Sequence, residues 1–338
     1  MATMDALMVE AVGQPIVKGK RPIPTPSEGE ILVKVTVVGL NPYDFRVRDW
    51  GLYVEGRLPV VLGNDIAGTV EKLDQLPEKP LGPMRPARIL PARRLQLRQK
   101  IPENLTDDDG ASLVCNMVAP FWAIFGAHGL GLPFPFPSEE DAAQAAFDYS
   151  SQTILILGAG SNCGKYGVQA SALAGFGTII AVADARRNGS DLRSYGATHI
   201  IDRHAADDDV AAQIRSLVGD ELVYAFDAVN VDHTLGVRCL SNTKRGTLAC
   251  IVPGKVDEAS LAGAKKAGFD DKFIQGQSSN QPQLGRKFWD WLPVWMREGR
   301  VRSTGWTVLE GLDPVKVNAV LDAYRDNRWP EKQVHVHL

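Results

Sequence analysis

Thr153-Ile-Leu-Ile-Leu-Gly-Ala-Gly-Ser-Asn-Cys-Gly-Lys-Tyr-Gly167 is the stretch on which the fold turns. Its first five residues are continuously apolar, the mark of a strand buried on both faces of a parallel sheet. Gly158, Gly160 and Gly164 follow as G-x-G-x-x-x-G, and residues 165–174 continue at helical spacing. The glycine pattern is one residue wider than the usual dinucleotide fingerprint. The physics is unchanged, because glycines let the backbone turn sharply and bring its N–H groups against a pyrophosphate. The following helix N-terminus adds partial positive charge. Gly158, Ala159, Gly160, Ser161, Asn162, Cys163 and Gly164 are therefore the expected cofactor loop, with Cys163 packing beneath the pyrophosphate.

Beyond this loop, strand-like runs at 178–183, 198–201, 222–226 and 247–252 alternate with helical stretches at 190–195 and 209–218. Strands separated by helices predict a doubly wound parallel α/β sheet. An NAD site wants an acid at the end of the second strand to bind the ribose 2′-OH. That strand is expected to end at Ala183, and Asp184-Ala-Arg-Arg187 follows. Two guanidinium groups, Arg186 and Arg187, suit a 2′-phosphate, which Arg grips bidentately. Arg203, after the third strand, is placed to reach the same phosphate. Asp184 dissents, since a shift of one position makes it the ribose acid. The balance favours NADPH, with NADH second. Ligands bind outside the carboxyl ends of such strands, so Asn230 and the Pro253-Gly254 turn join the expected cofactor contacts.

The flanks differ from this block. Residues 1–72 read as β-rich, with runs at 30–38, 60–62 and 66–70. Pro77, Pro80, Pro83 and Pro86 make residues 73–86 a loop, and the basic stretch 85–100 suits a solvated face or edge-strand protection. Thr106 caps an acidic first turn leading into an apolar helix through Phe125. A proline-rich connector, 131–137, and an acidic stretch, 138–141, precede the α/β block. After it come helices at 288–298 and 314–324 and a strand at 333–338. The aromatic cluster at 288–295 is expected in a core or interface, and His335 and His337 on a solvent-facing strand surface.

The 338-residue chain is long enough for two domains. At 44% hydrophobic, 23% charged and a formal charge of −3, it is an ordinary globular composition with no bulk attraction for nucleic acid or an anionic membrane. Its four cysteines form no C-x-x-C and its six histidines no H-x-x-x-H. No apolar run approaches the ~20 residues that span a bilayer, and no secretory signal is visible. A cytoplasmic location is expected.

Several motifs now combine. Gly39-Leu-Asn-Pro-Tyr-Asp44 resembles an N-P-x-D motif, and Leu62-Gly-Asn-Asp-Ile-Ala-Gly-Thr-Val70 a G-x-D-x-A-G-x-V motif. Lys100-Ile-Pro-Glu-Asn-Leu and Gly311-Leu-Asp313 resemble further signatures. Together with the glycine loop they resemble the zinc-independent branch of the medium-chain dehydrogenase/reductase superfamily, the quinone-oxidoreductase and enoyl-reductase group. The resemblance implies a GroES-like catalytic domain from residues 1–115 plus 285–338, and a Rossmann nucleotide-binding domain from 116–284 inserted between. It also implies an active site in the cleft between them.

Zinc-dependent relatives carry Cys and His where this chain has Asn41 and Asn64, so the resemblance implies no catalytic zinc. Substrate polarisation then falls to hydrogen bonds. In related enoyl-thioester reductases a tyrosine faces the nicotinamide a few residues after N-P-x-D. Tyr53 matches that place and is expected to stabilise a developing enolate oxygen or to deliver a proton, while Asn41 is expected to orient the cofactor ribose or the substrate carbonyl. Two strand motifs of the branch, G-D-x-V and G-[AS]-[FY]-x-E-Y, are missing, which implies a shortened catalytic barrel. The activity implied is NADPH-dependent hydride transfer to an activated C=C bond of an enone, enoyl thioester or quinone. A resemblance to fungal secondary-metabolism dehydrogenases, including trans-acting enoyl reductases, implies a biosynthetic role for a monomer or homodimer. Two alternatives stand beside it: carbonyl/alcohol interconversion, and a catalytically inactive dinucleotide-binding protein.

Overall fold

A computed structural model of the chain describes residues 2–27, 30–54, 56–73, 88–89, 100–136, 147–261, 263–277 and 280–338. Two compact units are present, one from 1–115 and 286–338, the other from 116–285.

The second unit is built on β7 (Thr153–Leu157), α4 (Asn162–Ala174), β8 (Thr178–Ala183), α5 (Ala185–Ser194), β9 (His199–Asp202) and α6 (Asp207–Val218). It continues through β10 (Tyr224–Asp227), α7 (Thr234–Cys239), β11 (Gly246–Cys250) and β12 (Phe269–Phe273). The six strands lie in the order β12-β11-β10-β7-β8-β9 with every pairing parallel. The strand order reverses between β7 and β10, so the loops after those two strands flank a topological switch point. Leu155, Leu157, Ile180, Val182, Ala225 and Leu248 fill a core with Val210 and Ile214 of α6. This is the predicted doubly wound α/β sheet.

Two local differences matter for the site. α5 begins at Ala185 rather than near 190, because the Asp184 carboxylate accepts a hydrogen bond from Arg187 N (3.0 Å) and caps the helix. β12, Phe269-Asp-Asp-Lys-Phe, had no apolar signature and exists through its register with β11.

The first unit holds two sheets. β1 (Thr3–Val9) lies between β2 (Val17–Pro22) and β4 (Val60–Val61). The larger sheet runs β13-β14-β3-β5-β6, from β13 (Trp306–Glu310), β14 (Gln333–His337), β3 (Ile31–Gly39), β5 (Asp65–Leu73) and β6 (Arg88–Ile89). α1 (Pro42–Trp50) and α9 (Pro314–Arg325) pack Phe45, Val47, Val317, Leu321 and Tyr324 into one core with Val9, Leu40 and Val336. α1 interrupts the stretch expected to be β-rich. The single helix expected from Thr106 is two, α2 (Asp107–Ala111) and α3 (Val114–Phe125), the first closed by a reciprocal Thr106–Asp109 capping box. α8 (Pro282–Arg297) carries the aromatic cluster inward, with Phe288, Trp289 and Trp295 all at most 1% exposed.

The shortened-barrel expectation and the proline-rich and basic stretches fall mostly on 74–87 and 90–99, outside the described residues. The acidic 138–141 stretch is outside them too. Within them β6 adds a short antiparallel partner to β5. The exposure expected of the terminal histidines is corrected: His335 is 0% exposed. Asp108 Oδ1 faces His335 Nδ1 at 2.7 Å and His337 Nε2 at 2.9 Å, and the Trp306 ring stacks on His335. α2 covers that strand face, which hydropathy alternation could not reveal.

Candidate dinucleotide and catalytic sites

In the phosphate loop, Gly158 turns the chain with φ +67°, and Ala159 N donates to Val182 O at 3.0 Å, tying the loop to β8. Ser161 is the N-cap of α4. Its Oγ accepts from Gly164 N (3.0 Å) and donates to Gly158 O (2.9 Å). These bonds aim the first turn of α4 at the space beside β7. A Cβ on Gly164 would stand 2.2 Å from Gly158 O and 2.6 Å from Ala159 Cα, so only glycine lets helix and strand approach this closely. A glycine-rich turn at a helix N-terminus fits a dinucleotide pyrophosphate. The loop residues from Gly158 to Gly164 are thus brought together as expected, with Cys163 Sγ lying 3.8 Å from Asn116 Oδ1.

Arg186 and Arg187 stand in the exposed first turn of α5, and Arg203 is held beside the end of β8 by its N–H bond to Ala183 O (2.9 Å). None of the three makes an ion pair among the described residues. Asp184, the dissenting acid, has one oxygen occupied as the helix cap. At the end of β10, Asn230 Nδ2 donates to both oxygens of Asp227 (3.0 and 2.9 Å), so its side chain shapes the loop.

The candidate catalytic residues are separated within the first unit. Tyr53 follows α1 with φ +61°, a left-handed backbone that a bulky residue adopts at a cost of about 1–3 kcal/mol. It is 47% exposed and stacks on Tyr43, with ring centroids 6.3 Å apart. Both rings line a cavity of about 90 Å³ together with Arg57, Leu62 and Asn64. Asn41 is not in that lining. It is 3% exposed and donates from Nδ2 to Asp65 Oδ2 (2.8 Å), while its Oδ1 accepts from Gln333 Nε2 (3.2 Å). In this seat the Asn41 amide is hydrogen-bonded within the fold.

Two acids complete that interior network, both standing in the motifs quoted above but given no role by sequence reading. Asp65 also accepts from Cys115 N (2.9 Å), and Asp44 Oδ2 accepts from Asn41 N (2.7 Å). Burial pushes the Asp44 carboxyl up to about 7 and the Asp65 carboxyl up to about 6. The folded protein therefore holds protons that the unfolded chain releases near the ordinary carboxyl value. The stabilisation is full below about pH 4 and is lost as pH rises toward 7. Asp44→Asn, permanently neutral, is expected to gain several degrees in Tm relative to the parent between pH 4.5 and 7.5, read from paired melting curves. A constant difference across that range excludes the linkage.

These residues do not fit a catalytic zinc. Asn41 and Asn64 offer amides where thiolate and imidazole donors belong, and the Asp65 carboxylate is taken up by donors of the fold. Among the described residues, one group, His233, Cys250 and Asp271, brings donor atoms within 4.8 Å of one another. Its thiol is pushed up to about 12 by burial and the nearby Asp271 and Asp227, and both ring nitrogens of His233 face oxygen acceptors. No helix among the described residues is long and apolar enough to cross a membrane.

Two family models match the chain: an alcohol dehydrogenase GroES-like domain over residues 27–80, and a zinc-binding dehydrogenase over 163–290. The trans-enoyl reductase resD of Aspergillus sclerotiorum is 25% identical over 89% of this chain and 90% of its own length. The dehydrogenase orsE of Emericella nidulans is 28% identical over 75% of this chain and 79% of its own. Among solved structures, the CurK enoyl reductase superposes with a TM-score of 0.73 at 15% identity, covering 98% of both chains. Mycobacterial Rv1454c complexed with NADPH gives 0.72 at 18%, covering 99% of this chain and 100% of that one. At such identities the likeness to solved structures is one of fold.

Proposed function

We propose, because this chain belongs to the medium-chain dehydrogenase/reductase superfamily and is an oxidoreductase of that type, that it is an NADPH-dependent, zinc-free reductase of activated C=C bonds. Its substrate class is a small enone, enoyl thioester or quinone. One observation carries this reading: a tyrosine is held in a left-handed backbone at the wall of a small cavity whose polar lining is no zinc-ligand set. Relatives named trans-enoyl reductase support the choice of C=C over C=O. The secondary-metabolic role belongs to this same proposal.

When bound, the dinucleotide supplies the hydride. The protein's part is to hold and to protonate. The backbone amides around Gly160 and the first turn of α4 face the pyrophosphate, and Arg186, Arg187 and Arg203 face the 2′-phosphate. Tyr53 Oη donates a hydrogen bond to the substrate oxygen as negative charge develops there. Its proton passes to the reduced substrate and is replaced from water. Asn41, fixed by Asp65 and Gln333, keeps the start of α1 in place.

The test is NADPH oxidation by the purified protein against an enone, a quinone, an enoyl thioester and an aldehyde. Turnover is expected for conjugated C=C substrates and not for the aldehyde. Aldehyde turnover alone selects carbonyl reduction, and binding without any turnover selects the inactive alternative. For the cofactor, the double variant Arg186→Ala/Arg187→Ala is expected to weaken NADPH about tenfold or more while NADH stays within about twofold. Equal loss for both dinucleotides removes the 2′-phosphate role.

A further inference from the structure

Among the buried ionisable groups that the proposed chemistry does not use, one stands beside the loop after β10. His233 is 1% exposed and immediately precedes α7. Its Nδ1 lies 2.9 and 3.1 Å from the two oxygens of Asp271, on β12. Its Nε2 lies 3.2 Å from Asn230 O and 3.2 Å from Val252 O. A carboxylate and two carbonyls can only accept, so both ring nitrogens carry hydrogen. That geometry calls for a ring protonated on both nitrogens, and such a ring has no lone pair with which to ligate a metal.

The surroundings agree with that charge. Burial works against it, but Asp271, Asp227 and the Val252 carbonyl outweigh burial and raise the proton affinity above the ordinary histidine value. The ionisable groups around it are Asp271 from β12, Asp227 from β10, the Cys250 thiol from β11, and Asp232 beside it in the chain.

The two carbonyls belong to the loops that leave β10 and β11 at the carboxyl edge. The loops are zipped together as well: His233 N donates to Lys255 O (2.9 Å) and Lys255 N to Val231 O (3.0 Å). Gly254 makes the approach possible, since a Cβ there would stand 2.2 Å from Val231 O and 2.6 Å from His233 Nε2. At the other end of the first loop, Val229 covers Gly158, where an added Cβ would lie 2.4 Å from its Cγ2. The position of this loop therefore sets the wall of the phosphate cradle.

We infer that His233 is a positioning residue of the dinucleotide site: its doubly protonated ring fastens the loops after β10 and β11 to Asp271 and so holds Val229 against Gly158. This rests on the reading of residues 158–164 as a dinucleotide cradle. Because that proton is held more tightly than in free histidine, the fastening is lost as pH rises through the elevated folded value.

The test is the NADPH Kd of the full-length protein, by fluorescence titration from about pH 6 to 9.5, for the parent, His233→Gln and Asp271→Asn. The parent is expected to bind well at neutral pH and to weaken at least about fivefold toward the alkaline end. His233→Gln, which cannot donate in both directions, is expected to bind about tenfold more weakly at pH 7 and to lose the alkaline step. An unchanged Kd with the same alkaline step in His233→Gln overturns the inference while leaving the cradle intact. Failure of the parent to bind NADPH at any pH overturns the cradle reading itself. Should His233→Gln not fold, ¹⁵N-histidine spectra of the parent decide, with the buried ring assigned through Asp271→Asn. Two protonated nitrogens at pH 7.5 support the inference, and one overturns it.

Discussion

Gly164→Ala is expected to raise the NADPH Kd by more than about a hundredfold and to lower Tm by several degrees. The added methyl meets Gly158 O at 2.2 Å and Ala159 Cα at 2.6 Å, and both are backbone atoms with no rotamer to give. The first turn of α4 must then move away from the end of β7, and the Ser161 cap bonded to Gly164 N moves with it. Overpacking of this kind costs about 1–3 kcal/mol in stability. The cost to binding is larger, because the amides that face a pyrophosphate are the atoms displaced. Gly160→Ala is the internal comparison. There the nearest atom is Asn188 Nδ2 at 2.8 Å, the end of a side chain that can swing aside, so a loss of only a few-fold is expected. Fluorescence titration and melting curves on the three proteins check both effects. Gly164→Ala binding within threefold of the parent would remove the cradle from the mechanism.

The second large effect is expected at Tyr53. Tyr53→Phe keeps the ring that stacks on Tyr43 and the left-handed backbone, and deletes only the hydroxyl. A fall in kcat of about tenfold to a thousandfold with KM little changed is the expected outcome, in keeping with the loss of one general acid. Tyr43→Phe, altering the neighbouring ring of the same cavity, is expected to change kcat by no more than about threefold. Loss confined to KM in Tyr53→Phe assigns the residue to binding, and an unchanged kcat leaves it a rim aromatic. The strain at Tyr53 gives the argument its weight, because a left-handed tyrosine persists only where the surroundings over-determine it.

The parts of this molecule that local chemistry could reveal are those whose partners are near in the chain. The run at β7, the glycines after it and the helical spacing of α4 lie within about twenty residues, and the strand-turn-helix unit they form was legible from residue types alone. Arg186 and Arg187 were legible for the same reason, although their place inside α5 was not. That place depends on Asp184 turning back to cap the helix. β12 was invisible because three of its five residues are charged, and backbone pairing with β11 supplies what its side chains do not announce.

Other features rest on contacts across most of the chain. The partners of Asn41, Asp65 and Gln333, come from β5 and from β14 near the C-terminus. His335 looked solvent-facing until α2 covered it. His233 carried no local signal at all, and its partners are a carboxylate and carbonyls on three separate segments. Fold class and the expectation of a coenzyme loop thus follow from neighbouring residues. Which polar groups reach a ligand, and which are consumed inside the protein, follows from long-range packing, since an interior donor bonds whatever acceptor the fold brings to it.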